Sequence, residues 1–133
     1  MKNYLKSAIL SFFLLTLAFY AQAQSLQDSA KVVGVEKFEK LISKKKNTLL
    51  DIRTPEEMKE GYISGAENLD FLAEDFPEKI EGLDKSKTYL IYCRSGKRTA
   101  KAGAAMKAAG FKHVIMLDGG ITAWKNEGKP IKD

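Results

Sequence analysis

The sequence predicts an α/β domain built on a parallel sheet, and two observations carry that expectation. Short apolar runs at Thr48–Ile52 (TLLDI), Thr88–Cys93 (TYLIYC) and His113–Leu117 (HVIML) are bounded by turn signals and rich in β-branched and aromatic residues. Runs of this kind suit strands covered on both faces. Helical patterns lie between them, and strands that alternate with helices along a chain favour parallel pairing.

The first residues set the domain apart from a leader. Lys2 and Lys6 precede an apolar segment, Ala8–Tyr20, which ends at the small-residue triplet Ala21-Gln22-Ala23. These are the parts of a secretory signal peptide over residues 1–23. A membrane-spanning helix needs roughly 20 apolar residues, more than this segment has. Cleavage after Ala23 and export to the periplasm or outside the cell are expected, rather than a retained anchor or stable membrane insertion. Residues 24–32 read as a short polar tail and residues 33–131 as one domain.

Within the domain, Val35, Phe38, Leu41 and Ile42 recur at helical spacing, and Lys44–Lys46 close that helix as a solvated cap complementing its dipole. Pro55–Glu60 starts with proline at a first-turn position. Phe71–Ile80 reads as helical but interrupted at Pro77. In Lys97–Ala109, Ala102, Ala105, Met106 and Ala109 share one face, and Gly110 supplies a stop. Gly120–Asn126 is a last short helix, with Trp124 turned to the core.

Composition excludes several functions. The formal charge of the 133-residue chain is +5, with lysines and acids interspersed. No basic stripe or reader motif points to nucleic acid. One cysteine and one histidine, His113, fall short of a zinc or iron–sulfur ligand set, so no metal and no cofactor is expected. His113, before an apolar run, reads as a surface residue at a strand start rather than a catalytic base. Cys93 cannot make an internal disulfide; its thiol is free, paired with another chain, or reactive.

The surroundings of Cys93 favour reactivity. Thr88–Cys93 as a strand, Arg94-Ser95-Gly96 as a loop and Lys97 onward as a helix put the thiol at the carboxyl end of a parallel strand, where open α/β sheets bind ligands. The helix start offers unpaired N–H groups and a positive dipole end to an anion, and Gly96 lets the chain curve tightly. A free thiol is only about 3% ionised at pH 7. The dipole contributes roughly 0.3–1 kcal/mol, so Arg94, Lys97 and Arg98 are expected to add to it in favour of the thiolate. A buried structural cysteine is the common alternative, but it does not suit a position followed by Arg-Ser-Gly-Lys-Arg.

Three ordered blocks carry a family resemblance. DIRTPEEMKEGYISGAENLD (Asp51–Asp70) holds Asp-x-Arg, a Glu-rich turn and Gly-x-Ile-x-Gly-Ala-x-Asn; YCRSGKRTA (Tyr92–Ala100) is the loop; GFKHVIMLDGGITAWKNEGKPI (Gly110–Ile131) is the closing strand and helix. Together they resemble the rhodanese-like sulfurtransferases across residues 33–131. The resemblance implies a central parallel β-sheet with helices on both faces. It also implies a persulfide on Cys93, charged by thiosulfate or another sulfane-sulfur donor and discharged to cyanide or to a small or protein thiol. In that reading the backbone of Arg94, Ser95, Gly96, Lys97 and Arg98 cradles the anion. Lys97 and Arg98 hold the donor, with Arg94 a weaker candidate, and Asp51 and Arg53 brace the loop. Cys93 to Arg98 is six residues, the sulfurtransferase length; related phosphatase and arsenate-reductase domains carry one more, a wider ring around a tetrahedral phosphate. Tyr62 stands where the family often has histidine, a change that bears on local packing. The alternative of a different kind is a non-catalytic persulfide- or partner-binding module.

Overall fold

In the computed structural model, which describes residues 30–133, strands and helices alternate from Lys31 to Asn126. The expected signal peptide, residues 1–23, lies outside the described residues. The strands are β1 (Lys31–Val33), β2 (Thr48–Asp51), β3 (Glu67–Asn68), β4 (Thr88–Tyr92) and β5 (His113–Leu117). The helices are α1 (Val35–Ile42), α2 (Pro55–Lys59), α3 (Phe76–Glu81), α4 (Lys97–Ala108) and α5 (Gly120–Asn126). All strand pairs are parallel, in the order β1-β5-β4-β2-β3.

The period-2 alternation of strand side chains divides the core in two. Leu50, Ile91 and Met116 stand in register across β2, β4 and β5. With Tyr89, Cys93 and Val114 they pack beneath Phe76 and Ile80 of α3 and Ala102 and Met106 of α4. Leu49, Leu90, Tyr92 and Leu117 face the other way, against Val35 and Phe38 of α1 and Ile121 and Trp124 of α5. Helices therefore cover both faces. Gly103 brings α4 close to the sheet, since a Cβ there would meet the Met116 sulfur at 2.8 Å.

Three details depart from the sequence expectation. Lys31 and Val32, assigned to the tail, belong to β1, which pairs Lys31 with Ile115 and Val33 with Leu117. As an edge strand with Lys31 and Val32 exposed, it lacks the continuous apolar run that marks an inner strand. β3, only Glu67–Asn68 and exposed, has no such run either. The helix expected over Phe71–Ile80 begins instead at Phe76, and Pro77 lies in its first turn, where a missing N–H breaks no helical bond. Trp124 is buried as expected but also donates its Nε1–H to the Pro130 carbonyl at 2.9 Å, tying down the C-terminal segment. His113 and the Lys44–Lys46 run are exposed, as expected.

The order of connections locates the ligand crevice. From β2 the chain continues to its neighbour β3 on one side; from β4 it continues to β5 on the other. The carboxyl ends of β2 and β4 thus flank the switch point, where open α/β sheets leave a crevice. Phe38, fully buried between α1 and the sheet, tests the packing: Phe38→Ala should lower unfolding stability by about 3–5 kcal/mol. Lys45→Ala, at an exposed position, should change it by less than about 0.5 kcal/mol in the same denaturant titration.

Candidate active site

Cys93 is the first residue after β4 and is 1% exposed. The loop turns back over it, and the Gly96 amide donates to its Sγ at 3.1 Å. Gly96 takes a left-handed conformation, φ 100°, as the residue before α4, a geometry that glycine adopts without steric cost. Thr99, one turn into α4 and buried, lies with its Oγ1 3.9 Å from Sγ and donates to the Gly96 carbonyl at 2.8 Å. The sulfur therefore meets an amide at a helix start, where negative charge is favoured.

The loop carbonyls are fixed from the opposite side. The Ile121 amide donates to the Cys93 carbonyl at 2.9 Å and the Thr122 amide to the Arg94 carbonyl at 3.1 Å. The start of α5 approaches this closely because Gly120, at φ +58°, has no Cβ; one placed there would lie 2.4 Å from the Cys93 oxygen. Sequence reasoning missed Gly120, although the pair Gly119-Gly120 is a turn signal.

The side chains expected to hold a donor are not all free. Arg98 gives Nη1 to Oε2 of Glu57 at 2.6 Å and Nη2 to Oε1 at 2.7 Å, and Arg94 Nε reaches Oε1 at 3.1 Å. Lys97 and Ser95 are exposed, and Lys97 makes no ion pair with the described residues. Glu57 went unnoticed in the sequence as a site residue. It is the third residue of α2, and its place there is set by a capping box: its own amide donates to Thr54 Oγ1 at 3.3 Å, and the Thr54 amide donates to its Oε2 at 3.1 Å.

Asp51 and Arg53 meet as an ion pair, but away from the loop. Asp51 is fully buried and Arg53 3% exposed, with Nη2 on Oδ2 at 2.6 Å and Nε 3.0 Å from Oδ1. Arg53 Nη2 also donates to the Gly61 carbonyl at 2.8 Å, and its guanidinium lies 5.7 Å from the centre of the Tyr92 ring. Tyr92 donates its hydroxyl to Asp51 Oδ2 at 2.8 Å and accepts from the Ile63 amide at 3.1 Å. Burial, ahead of the Asp51 charge, raises the Tyr92 phenol above its ordinary value, so it remains a donor. The pair thus braces the residue before Cys93 and the Gly61–Ile63 segment; direct bracing of the loop falls to Glu57. Tyr62, at the position noted as a departure, pairs its backbone with Lys132 in an antiparallel bridge.

A cleft of about 340 Å³ runs beside the loop, lined by Ser95, Gly96, Lys97, Val32, Met116 and Asp118 among others. Cys93 does not line it, so the space adjoins the loop rather than the sulfur. Among the described residues no group of three His, Cys, Asp or Glu side chains could hold a metal ion.

The Glu57 clamp has a pH signature. The Arg98 guanidinium holds the Glu57 carboxyl at about 2, from an ordinary 4.5. A carboxylate depressed on folding contributes stability above its unfolded pKa and loses it as pH falls through the folded one. Acid titration should therefore show stability lost between pH 4.5 and 2, up to about 3 kcal/mol, and Glu57→Gln should flatten that limb. On the other side of the loop, Gly120→Ala should lower stability and disturb the Cys93 carbonyl contact, read as faster alkylation-independent loss of fold on heating.

A family model of the rhodanese-like domain matches residues 34–127. A putative sulfurtransferase of Bacillus subtilis is 39% identical over 92 residues, covering 69% of this chain and 86% of that protein. A rhodanese-related protein from Thermoplasma volcanium, at 27% identity, aligns with a TM-score of 0.68 over 77% of this chain and 97% of its own. A polysulfide-sulfur transferase homodimer from Wolinella succinogenes, at 26% identity, aligns with a TM-score of 0.65 over 89% of each chain. The family model covers most of the described domain and the parallel sheet agrees with its structural neighbours, and the chain belongs to the rhodanese-like domain family.

Proposed function

We propose that the protein is a rhodanese-type sulfurtransferase that moves a sulfane sulfur from thiosulfate or a similar donor to a thiophilic acceptor through a persulfide on Cys93. The observation that carries this reading is the 3.1 Å contact from the Gly96 amide to the Cys93 sulfur at the start of α4. That amide stabilises a sulfur bearing negative charge, as thiolate or as persulfide.

The chemistry uses one nucleophile twice. The Cys93 thiolate attacks the outer sulfur of thiosulfate, and the donor's S–S bond breaks with its electron pair leaving on sulfite. Cyanide or an acceptor thiolate then attacks the outer sulfur of the persulfide. The Sγ–S bond breaks, the electron pair returns to Cys93 as thiolate, and thiocyanate or an acceptor persulfide departs. No general base is required if both attacking groups arrive ionised. The name of the Bacillus relative, a putative sulfurtransferase, supports sulfur as the cargo, and that of the Wolinella neighbour, a polysulfide-sulfur transferase, supports a sulfane-sulfur donor.

The N-terminal residues support a further part of the reading, that the protein is exported and acts in the periplasm or outside the cell after cleavage at Ala23. N-terminal sequencing of the secreted form should begin at Gln24; recovery of intact Met1 would overturn it.

Mass spectrometry after exposure to thiosulfate should show one added sulfur on the peptide containing Cys93. Cys93→Ser should carry none and should lose essentially all cyanide-dependent sulfite release. An unmodified Cys93 in protein that still turns over would defeat the persulfide route, and hydrolysis of an aryl phosphate by the native chain would point to phosphatase chemistry.

A further inference from the structure

Both arginines of the loop share one carboxylate. Glu57 takes two bonds from Arg98, at 2.6 and 2.7 Å, and one from Arg94 at 3.1 Å. The Glu57 side chain is only 14% exposed, and the Thr54 capping box fixes the carboxylate independently of its partners. The two-pronged bond to Arg98 also constrains the direction of the guanidinium. The trio carries a single net positive charge, and exposed Lys97 has no carboxylate partner among the described residues. Donor-facing charge is thus lower than the loop sequence Arg-Ser-Gly-Lys-Arg suggests.

We infer that Glu57 is a positioning residue that sets donor selectivity: it anchors Arg94 and Arg98 to α2 as staples of the loop, and leaves Lys97 as the side-chain cation that meets an anionic donor. This rests on the sulfurtransferase reading above. Selectivity between donors of different charge then depends on a carboxylate that touches neither donor nor sulfur.

The test compares thiosulfate, a dianion, with methanethiosulfonate, a monoanion that delivers the same outer sulfur and releases a sulfinate. Glu57→Gln removes the charge and should raise the ratio of kcat/KM for thiosulfate over thiosulfonate about three- to tenfold at low salt, an effect that shrinks in about 0.5 M salt. Glu57→Asp keeps the charge on a shorter arm. Its ratio should stay within about twofold of the native value while kcat falls for both donors. Lys97→Gln should raise the KM for thiosulfate several-fold and serves if Glu57→Gln does not fold. An unchanged ratio in Glu57→Gln, an equal shift in Glu57→Asp, or an unchanged KM in Lys97→Gln would overturn the inference. If the native protein turns over neither donor, the sulfurtransferase reading fails instead. Protection of Cys93 from iodoacetamide by sulfite then decides the inference: Glu57→Gln should need several-fold less sulfite, and equal protection would overturn it.

Discussion

The orientation of two peptide planes decides whether this loop can hold an anion. The Cys93 and Arg94 carbonyls are taken by the Ile121 and Thr122 amides at the start of α5. No peptide bond in the described chain is cis. In a trans peptide the N–H points opposite to the C=O, so the Arg94 and Ser95 amides point away from α5 while the Gly96 amide meets the sulfur. Were those carbonyls to turn inward, the same backbone would present negative partial charge beside the sulfur, where the proposed route places an anionic donor. Gly120 permits the arrangement, because any side chain there would collide with the carbonyl oxygens it serves to fix.

A second constraint acts one residue earlier. Asp51, fully buried, accepts from Arg53 and from the Tyr92 hydroxyl, and Tyr92 in turn accepts from Ile63. Removing two charges from water is expensive, and a buried pair of this kind is weak evidence for net stability. Its geometric effect is clearer. The pair joins the end of β2 to the end of β4 and to the Gly61–Ile63 segment, fixing where Cys93 leaves the sheet. Among the described residues no buried side-chain nitrogen or oxygen is left without a hydrogen-bond partner, as a low-dielectric network requires.

Legibility in the sequence followed the range of the interaction. The inner strands could be read because burial on both faces makes them continuously apolar, and the place of Cys93 followed from one strand run and one helix run. β1 and β3 could not, since a three-residue edge strand and a two-residue strand carry exposed side chains and leave no periodic signal. Pro77 was read as a break because the position of the preceding turn was unknown; the same proline within the first helical turn is compatible with the helix. At the site, the nucleophile and its amide cradle were legible as a local strand–loop–helix unit. The fate of its charges was not. Glu57 shows only a capping box in the sequence, and its arginine partners lie 37 and 41 residues away. Lys97 and Arg98 were expected to hold a donor, with Arg94 a weaker candidate; the sequence did not show that Arg98 and Arg94 pair with Glu57, nor that Asp51 and Arg53 contact Tyr92 rather than the loop itself.

Cys93 also ties the two faces of the sheet together. Its side chain belongs to the core cluster under α3 and α4, while its carbonyl is held by α5, which packs on the opposite face. Glu57 reaches the loop from α2, a third element with no buried residue of its own. The α/β architecture supplies a crevice at the switch point, but such a crevice is common to many chemistries. What shapes this one is the convergence of α2, α4 and α5 on the six residues from Cys93 to Arg98. The loop reaches its form only when elements distant in the chain have docked, and so the geometry around the sulfur is a property of the completed fold rather than of the loop sequence.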